Sequence, residues 1–333
     1  MNRACAARIG IPIRWVCLLA MLCATAPAVS SFAEEPSASS ALRLTLDLSR
    51  SALTLGEPVY ATVRLVNSGE RPVEVFKHLD PQTGALQIDV SSSSRPRKVF
   101  LPLFYADAIR TRTALAPGET ITAVFPIFYG ALGWTFDRPG TYRVTAEYRP
   151  LDGAQRNWIR SPAVDVTVGE EAGGGALLMA GTSASEEAAK FLLWQRGDHL
   201  RAGQALLTNL LAQHPDSRLA DYARLAFGRN LSRSFRDYTV GQVRQADCEP
   251  ALAYLQKVRS ERLPDYLQIQ QRLDEARCLI TLSRPADARA SMEQVEQLRA
   301  GRSEFNLVVQ QAIRLQPALG QMIPDGASPH RSP

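Results

Sequence analysis

Histidine, lysine and cysteine are scarce in this chain. Of 333 residues 4 are histidine and 5 are cysteine, and lysine supplies 4 of the 38 basic residues. His78, His199, His214 and His330 stand far apart, none with a partner at metal-site or triad spacing. HExxH, GxSxG, a P-loop and an EF-hand loop are all missing. No catalytic residue, metal ligand or cofactor is therefore expected, and the chain reads as a non-enzyme; a hydrolase whose triad assembles only in space stays open as an alternative.

Long apolar runs are lacking too. The longest, at 15–24, falls short of the roughly 20 residues that a membrane span needs. It follows Arg3, Arg8 and Arg14 and precedes small residues ending in Ser31-Phe32-Ala33, the three-part order of a secretory signal peptide. Residues 1–33 are read as that signal, cut after Ala33, which makes the protein periplasmic or secreted with no transmembrane span after cleavage. A lipobox at Cys17 or Cys23 is disfavoured, because bulky Leu22 precedes Cys23. Removing the leader takes three arginines and leaves 35 basic against 33 acidic residues. The mature chain is close to neutral, so a nucleic-acid partner is not expected.

Three cysteines leave with the leader, and only Cys248 and Cys278 remain. An even pair in an oxidising compartment suggests a disulfide. If a helical hairpin turns near Leu263-Pro264, each lies about 15 residues from the turn, and at 1.5 Å rise per residue the two stand level. The bond would close a loop of about 30 residues and contribute about 3–4 kcal/mol. The alternative is two free, buried cysteines acting as small hydrophobes.

What the chain does have is two contrasting periodicities. From Leu42 to Val168 apolar residues alternate: Leu42, Leu44, Leu46 and Leu48; Val59, Ala61, Val63 and Leu65; Ile121, Ala123, Phe125 and Ile127; Tyr142, Val144, Ala146 and Tyr148; Val164, Val166 and Val168. That is the pattern of half-buried strands. Asn67-Ser68-Gly69, Pro117-Gly118, Pro139-Gly140 and Asp152-Gly153 separate the runs as turns. An antiparallel β-sandwich over 42–169, after a flexible mature N-terminus at 34–41, is the economical fold.

Residues 170–185, with Gly173-Gly174-Gly175, read as an interdomain linker. Beyond it the period becomes helical over 186–317, and 318–333 reads as a disordered tail. Tyr222, Ala223, Ala226, Phe227 and Asn230 recur at three and four, and Asp216 or Ser217 can cap that helix. Ala189 and Ala223 lie one 34-residue repeat apart. Asp274-Glu275-Ala276-Arg277-Cys278-Leu279 echoes Asp221-Tyr222-Ala223-Arg224-Leu225-Ala226 at a displacement of 53, one repeat plus 19, with the extra length in the polar stretch from Ser232 to Asp247. Partner helices are expected near 200–213, 249–260 and 286–299, with a closing helix at 304–316.

Arg138-Pro139-Gly140-Thr141-Tyr142-Arg143-Val144, Leu53-Thr54-Leu55-Gly56-Glu57-Pro58-Val59 and Val66-Asn67-Ser68-Gly69 resemble segments of bacterial immunoglobulin-like domains. The resemblance implies a tyrosine corner at Tyr142, its hydroxyl bonded to nearby backbone. His214-Pro215-Asp216-Ser217 followed by Ala220-Asp221-Tyr222-Ala223 resembles exported proteins with tetratricopeptide-type repeats, which implies a helical-hairpin α-solenoid whose groove receives another envelope protein or peptide.

The segment from Phe128 to Phe136 is rich in aromatic residues on a glycine-bent loop. Tyr129, Trp134 and Phe136, with Trp158, are candidate ligand-binding rings, a stacking platform for polysaccharide or peptide that Phe100, Phe104 and Tyr105 could join. The competing assignment is a hydrophobic plug at the end of the sandwich. The basic run Arg224, Arg229, Arg233, Arg236 and Arg244, interleaved with Asp221, Asp237 and Asp247, is expected to be a solvated helix face, with an acidic-partner surface as the alternative. Protein interaction or assembly in the bacterial envelope is the leading functional expectation. A carbohydrate- or cell-wall-binding accessory role is its rival.

Overall fold

A computed structural model describes residues 41–93, 95–104, 111–150, 158–170 and 174–323. The signal peptide, residues 34–40, Tyr105, Asp152-Gly153 and His330 lie outside them. Among the described residues no helix is long and apolar enough to cross a membrane.

Alternating sequence becomes sheet over residues 42–169. The strands are β1 (Leu42–Leu48), β2 (Ala52–Thr54), β3 (Tyr60–Asn67), β4 (Val73–Phe76), β5 (Leu86–Ser92), β6 (Arg95–Val99), β7 (Arg112–Leu115), β8 (Thr120–Pro126), β9 (Tyr129–Gly130), β10 (Gly133–Trp134), β11 (Gly140–Tyr148), β12 (Ile159–Arg160) and β13 (Val164–Gly169). One sheet has the order β1-β3-β8, and a larger one runs β2-β13-β11-β5-β6 with β12 beside β11. Among the described residues only β2 and β13 pair in parallel; the other pairings are antiparallel. Register puts Leu44 opposite Leu65 and Leu46 opposite Val63, all buried. They share one core with Ile88, Val144, Ala146, Tyr148 and Val166 of the larger sheet. The shared core follows from period two, since each sheet has one apolar face to hide.

Two side chains fix the corners. Buried Asn67 donates through Nδ2 to the carbonyls of Arg71 and Leu115, both at 2.8 Å, while its Oδ1 accepts from Gly69 N–H. The Tyr142 hydroxyl donates to the Arg138 carbonyl at 2.9 Å and accepts from the Arg138 N–H at 3.2 Å, the corner that the Pro-Gly-Thr-Tyr segment implies.

The helices are α1 (Gly174–Leu178), α2 (Ser183–Trp194), α3 (Arg201–Gln213), α4 (Arg218–Leu231), α5 (Cys248–Leu255), α6 (Asp265–Thr281), α7 (Pro285–Arg299) and α8 (Asn306–Leu315). Ser217 rather than Asp216 caps α4, accepting from Ala220 N–H at 3.1 Å. Successive helices pack as hairpins, α2 with α3, α4 with α5 and α6 with α7. Two glycines allow the close approach. A Cβ on Gly203 would meet the backbone of Glu187 and Ala188 at 2.4 and 2.3 Å, and one on Gly228 would meet Leu255 at 2.6 Å.

Two expectations are corrected. The stretch read as a linker, 170–185, contains α1 and the start of α2. Gly174, Gly175 and Leu178 are buried, because Leu178 has an apolar bed to fill against the β region near Gly56. The tail read from 318 begins inside a 3-10 turn, Pro317–Met322, which buries Leu319. The polar insertion between the second and third hairpins folds as a β-hairpin, β14 (Phe235–Asp237) with β15 (Gln242–Arg244).

The β and helical regions belong to one compact unit. Between them, Glu57 of the β2–β3 turn is fully covered. It accepts from Thr54 N–H and Oγ1 and pairs with Arg50 at 3.5 Å and Arg218 at 3.3 Å. Burial raises the Glu57 pKa above its ordinary 4.5, against the opposing pull of the Thr54 bonds and the two arginines. Nearby, the Tyr60 ring lies 6.1 Å from that of Tyr266, and Arg64 pairs with Glu304.

A candidate binding cleft between a sheet edge and the helices

A cavity of about 820 Å³ lies between β8 and the helical region. One wall is the strand itself. Ile127 N–H bonds the Val59 carbonyl and Asn67 N–H bonds the Glu119 carbonyl, so the odd-numbered residues of β8 are the ones hydrogen-bonded to β3. The N–H and C=O groups of Thr120, Thr122 and Val124 consequently point to the other edge. Among the described residues no strand pairs with that edge. Thr120, Thr122 and Val124 also line the cavity.

The opposite wall is one face of α8. Leu307, Val308, Gln311, Ala312 and Leu315 recur at helical spacing along it, and Leu307 and Leu315 are 60% and 72% exposed.

The floor is made of arginines around one carboxylate. Asp274 of α6 is fully buried and takes Arg229 Nε at 2.8 Å, Arg233 Nη2 at 2.9 Å and Arg277 Nη1 at 2.8 Å. Burial pushes the Asp274 pKa up, but the summed attraction of Arg233, Arg229 and Arg277 exceeds it and holds the carboxyl below its ordinary range. Burial first, then repulsion from Arg233, lowers the pKa of Arg229 despite Asp274. Arg229 also donates to the Gln195 and Gln270 side-chain carbonyls. Arg277 Nε donates to Gln316 Oε1 at 3.2 Å. Three positive side chains thus share one negative one in a place where water screens poorly.

The cleft is also lined by Lys77, His78, Asp80 and Glu304. Both acids are engaged locally: Asp80 accepts from Gln82 N–H at 2.8 Å and caps a 3-10 turn, and Glu304 pairs with Arg64. His78 and Asp80 share the rim. A Ser–His–Asp relay would need the carboxylate bonded to the imidazole, and the bond Asp80 makes is to backbone. Among the described residues no group of three or more His, Cys, Asp or Glu could hold a metal ion.

The residues singled out by sequence lie elsewhere. Tyr129 and Phe136 are buried and Trp134 is half-buried. Trp134 packs on Phe128 and edge-on against Tyr129, with centroids 5.8 and 5.5 Å apart, and Phe136 packs edge-on against Tyr142 at 5.2 Å. The rings pack on one another and on the core, the arrangement of a plug, and Tyr129 also lines a smaller cavity with Phe100 and Phe104. Trp158 is half-buried, beside β12. Cys248 and Cys278 do come together at the α5–α6 pair. They are two free, buried thiols in hydrogen-bond contact, without the expected disulfide. Desolvation, then the hydrogen bond with Cys248, raises the Cys278 pKa, so the thiol form, not the reactive thiolate, is favoured. The basic run is not a solvated face either. Arg229 is 8% exposed, and Arg244 bonds Asp198 and the Asn230 carbonyl.

No family model and no curated protein matches this chain. Among solved structures, it is similar to the CARDB domain of a Pyrococcus furiosus protein, at 17% identity over 39% of this chain and 94% of that one, with a TM-score of 0.23. It is also similar to β-glucosidases from Listeria innocua and Erythrobacter marinus, at 18% and 17% identity over 38% of this chain, each with a TM-score of 0.24. It spans only 16% and 15% of those two enzymes.

Proposed function

We propose that this protein is an exported, non-catalytic interaction or assembly factor of the bacterial envelope, and that the cleft between β8 and the helices receives an extended segment of a partner protein. The observation that carries the reading is the outward-facing backbone of Thr120, Thr122 and Val124 along one wall of an 820 Å³ cleft. A sheet edge with unpaired N–H and C=O groups is a template for strand addition, and a facing helical wall supplies pockets for alternate side chains. On this reading the β region is an immunoglobulin-like sandwich and the stacked hairpins are tetratricopeptide-like, together forming a composite groove. The export signal at 1–33 supports the compartment.

Site-specific photocrosslinking in intact cells tests it. A photoreactive residue at Thr122 should capture a discrete partner, and one at Arg289, on the exposed side of α7, should not. Equal capture from both positions, or none at Thr122, would count against the reading.

A further inference from the structure

We infer that the segment accepted by the cleft is acidic: an extended peptide with aspartate or glutamate at alternate positions, whose carboxylates bind Arg233 and Arg277. The inference rests on the strand-addition reading above and adds the chemistry of the occupant.

Charge on the floor is unbalanced. Arg229, Arg233 and Arg277 face one carboxylate, Asp274, so the cluster carries two positive charges in excess. Neither of the two acids elsewhere in the cleft bonds an arginine of the floor: Asp80 caps its own turn and Glu304 serves Arg64. Lys77 adds a further positive charge at the rim.

Donor accounting points the same way. Arg233 spends Nε and Nη2 on Asp274, and Arg277 spends Nε on Gln316 and Nη1 on Asp274. Among the described contacts, Arg233 Nη1 and Arg277 Nη2 have no acceptor. Arg233 is 37% exposed along its side chain and therefore reachable. A guanidinium nitrogen held in place by its other bonds has already lost its rotamer freedom, so little further ordering is needed when a carboxylate arrives.

Geometry then selects an extended acidic ligand over a compact one. A strand added to β8 turns every second side chain to the face that carries Thr120, Thr122 and Val124. That face looks onto the arginine floor and the apolar wall of α8. Alternate acidic residues meet Arg233 and Arg277, while Leu307 and Leu315 cover the aliphatic parts of the same side chains.

The test uses the mature full-length protein and fluorescein-labelled octapeptides read by fluorescence anisotropy. One peptide alternates glutamate with valine, a second replaces each glutamate by glutamine, and a short single-stranded oligonucleotide serves as a competing polyanion. The acidic peptide is expected to bind at least about tenfold more tightly than the glutamine peptide, the size of one charge-assisted hydrogen bond. Its affinity should fall with added salt. Arg233→Gln should remove most of that preference. Asp274 keeps Arg229 and Arg277 in this variant, and the salt dependence and peptide pair need no variant at all. Thr122→Pro should abolish binding of the acidic peptide. Equal binding of both peptides, lost in Thr122→Pro, would overturn acidic selection and leave the strand-addition reading standing. No peptide binding, or acidic binding indifferent to Thr122→Pro, would overturn that reading and the inference with it. Oligonucleotide binding as tight as that of the acidic peptide would also overturn the inference, since the floor would then respond to charge alone.

Discussion

Two regions of the helical domain use the same ingredients to different ends. Around Asp221, as around Asp274, three arginines surround one fully buried aspartate, and in each case one of them lies three residues further along the same helix: Arg224 for Asp221 and Arg277 for Asp274. The difference lies in where the remaining guanidinium donors go. At Asp221, Arg224 bonds the Pro215 carbonyl, Arg259 reaches Asp216 and the Ser217 carbonyl, and Arg262 bonds the Asp216 carbonyl. Those bonds tie the α3–α4 turn to the 3-10 turn Ser260–Arg262. At Asp274 the extra bonds go to glutamine side chains, and its three arginines line the cleft. One arrangement fastens two turns together through backbone carbonyls; the other also lines a cavity.

Removing each aspartate's charge is the strongest way to sharpen this contrast. Asp274→Asn leaves Arg229 buried with two like-charged neighbours and no counter-charge, and should cost about 3–5 kcal/mol in urea unfolding at neutral pH. Asp221→Asn should cost less, about 1–2 kcal/mol, because its arginines retain backbone carbonyls and are more exposed to water. Equal losses would erase the distinction. The Asp274 cost also has a pH signature. Its carboxyl is held below the ordinary 3.8, so its contribution is present above that value and is lost as pH falls through the lower folded-state pKa. The gap between wild type and Asp274→Asn should therefore narrow only in strong acid.

Glu57 is another buried carboxylate held by arginines, and it should behave in the opposite sense. Burial outweighs Arg50, Arg218 and the Thr54 bonds, so its pKa is raised above 4.5. A raised carboxyl contributes stability below its unfolded value and loses it as pH rises through the folded one. Relative to Glu57→Gln, the wild type should therefore lose ground as pH rises from 4.5 towards neutrality. Unfolding midpoints measured across that window, with a difference that is flat or of reversed slope, would break the comparison between Glu57 and Asp274.

How far such features can be read from sequence depends on their range. Period two and period 3.6 place the β region and the helices well: the expected 200–213, 286–299 and 304–316 correspond to Arg201–Gln213, Pro285–Arg299 and Asn306–Leu315. The echo of Asp221-Tyr222-Ala223-Arg224 in Asp274-Glu275-Ala276-Arg277 is visible as repeated spacing, and it marks both clusters. What each cluster does is not visible, because Arg229 and Arg259 reach their aspartates across 45 and 38 residues. The same limit applies to Cys248 and Cys278. Helical register makes them neighbours, but whether the two thiols bond is decided by sulfur separation, which register does not set. The aromatic loop misleads for another reason: Tyr129, Trp134 and Phe136 are amphipathic or apolar rings equally suited to a platform or a plug, and only tertiary contacts decide. The β8 edge leaves no sequence signal, since an edge strand differs from a central one by a missing neighbour.

That missing neighbour gives the smallest expected effect on stability and the most specific one on binding. Proline at Thr122 removes an N–H that points away from β3, so the ladder to β3 keeps its bonds and the preceding Ile121 already lies in a strand. Unfolding free energy should stay within about 0.5 kcal/mol of wild type. Binding of an added strand should nevertheless fail, because the new ring occupies the edge where the partner backbone must pair. An isothermal titration showing intact peptide affinity in Thr122→Pro would mean that the cleft is used without strand addition. A large loss of stability instead would mean that the Thr122 N–H is already bonded within the folded chain.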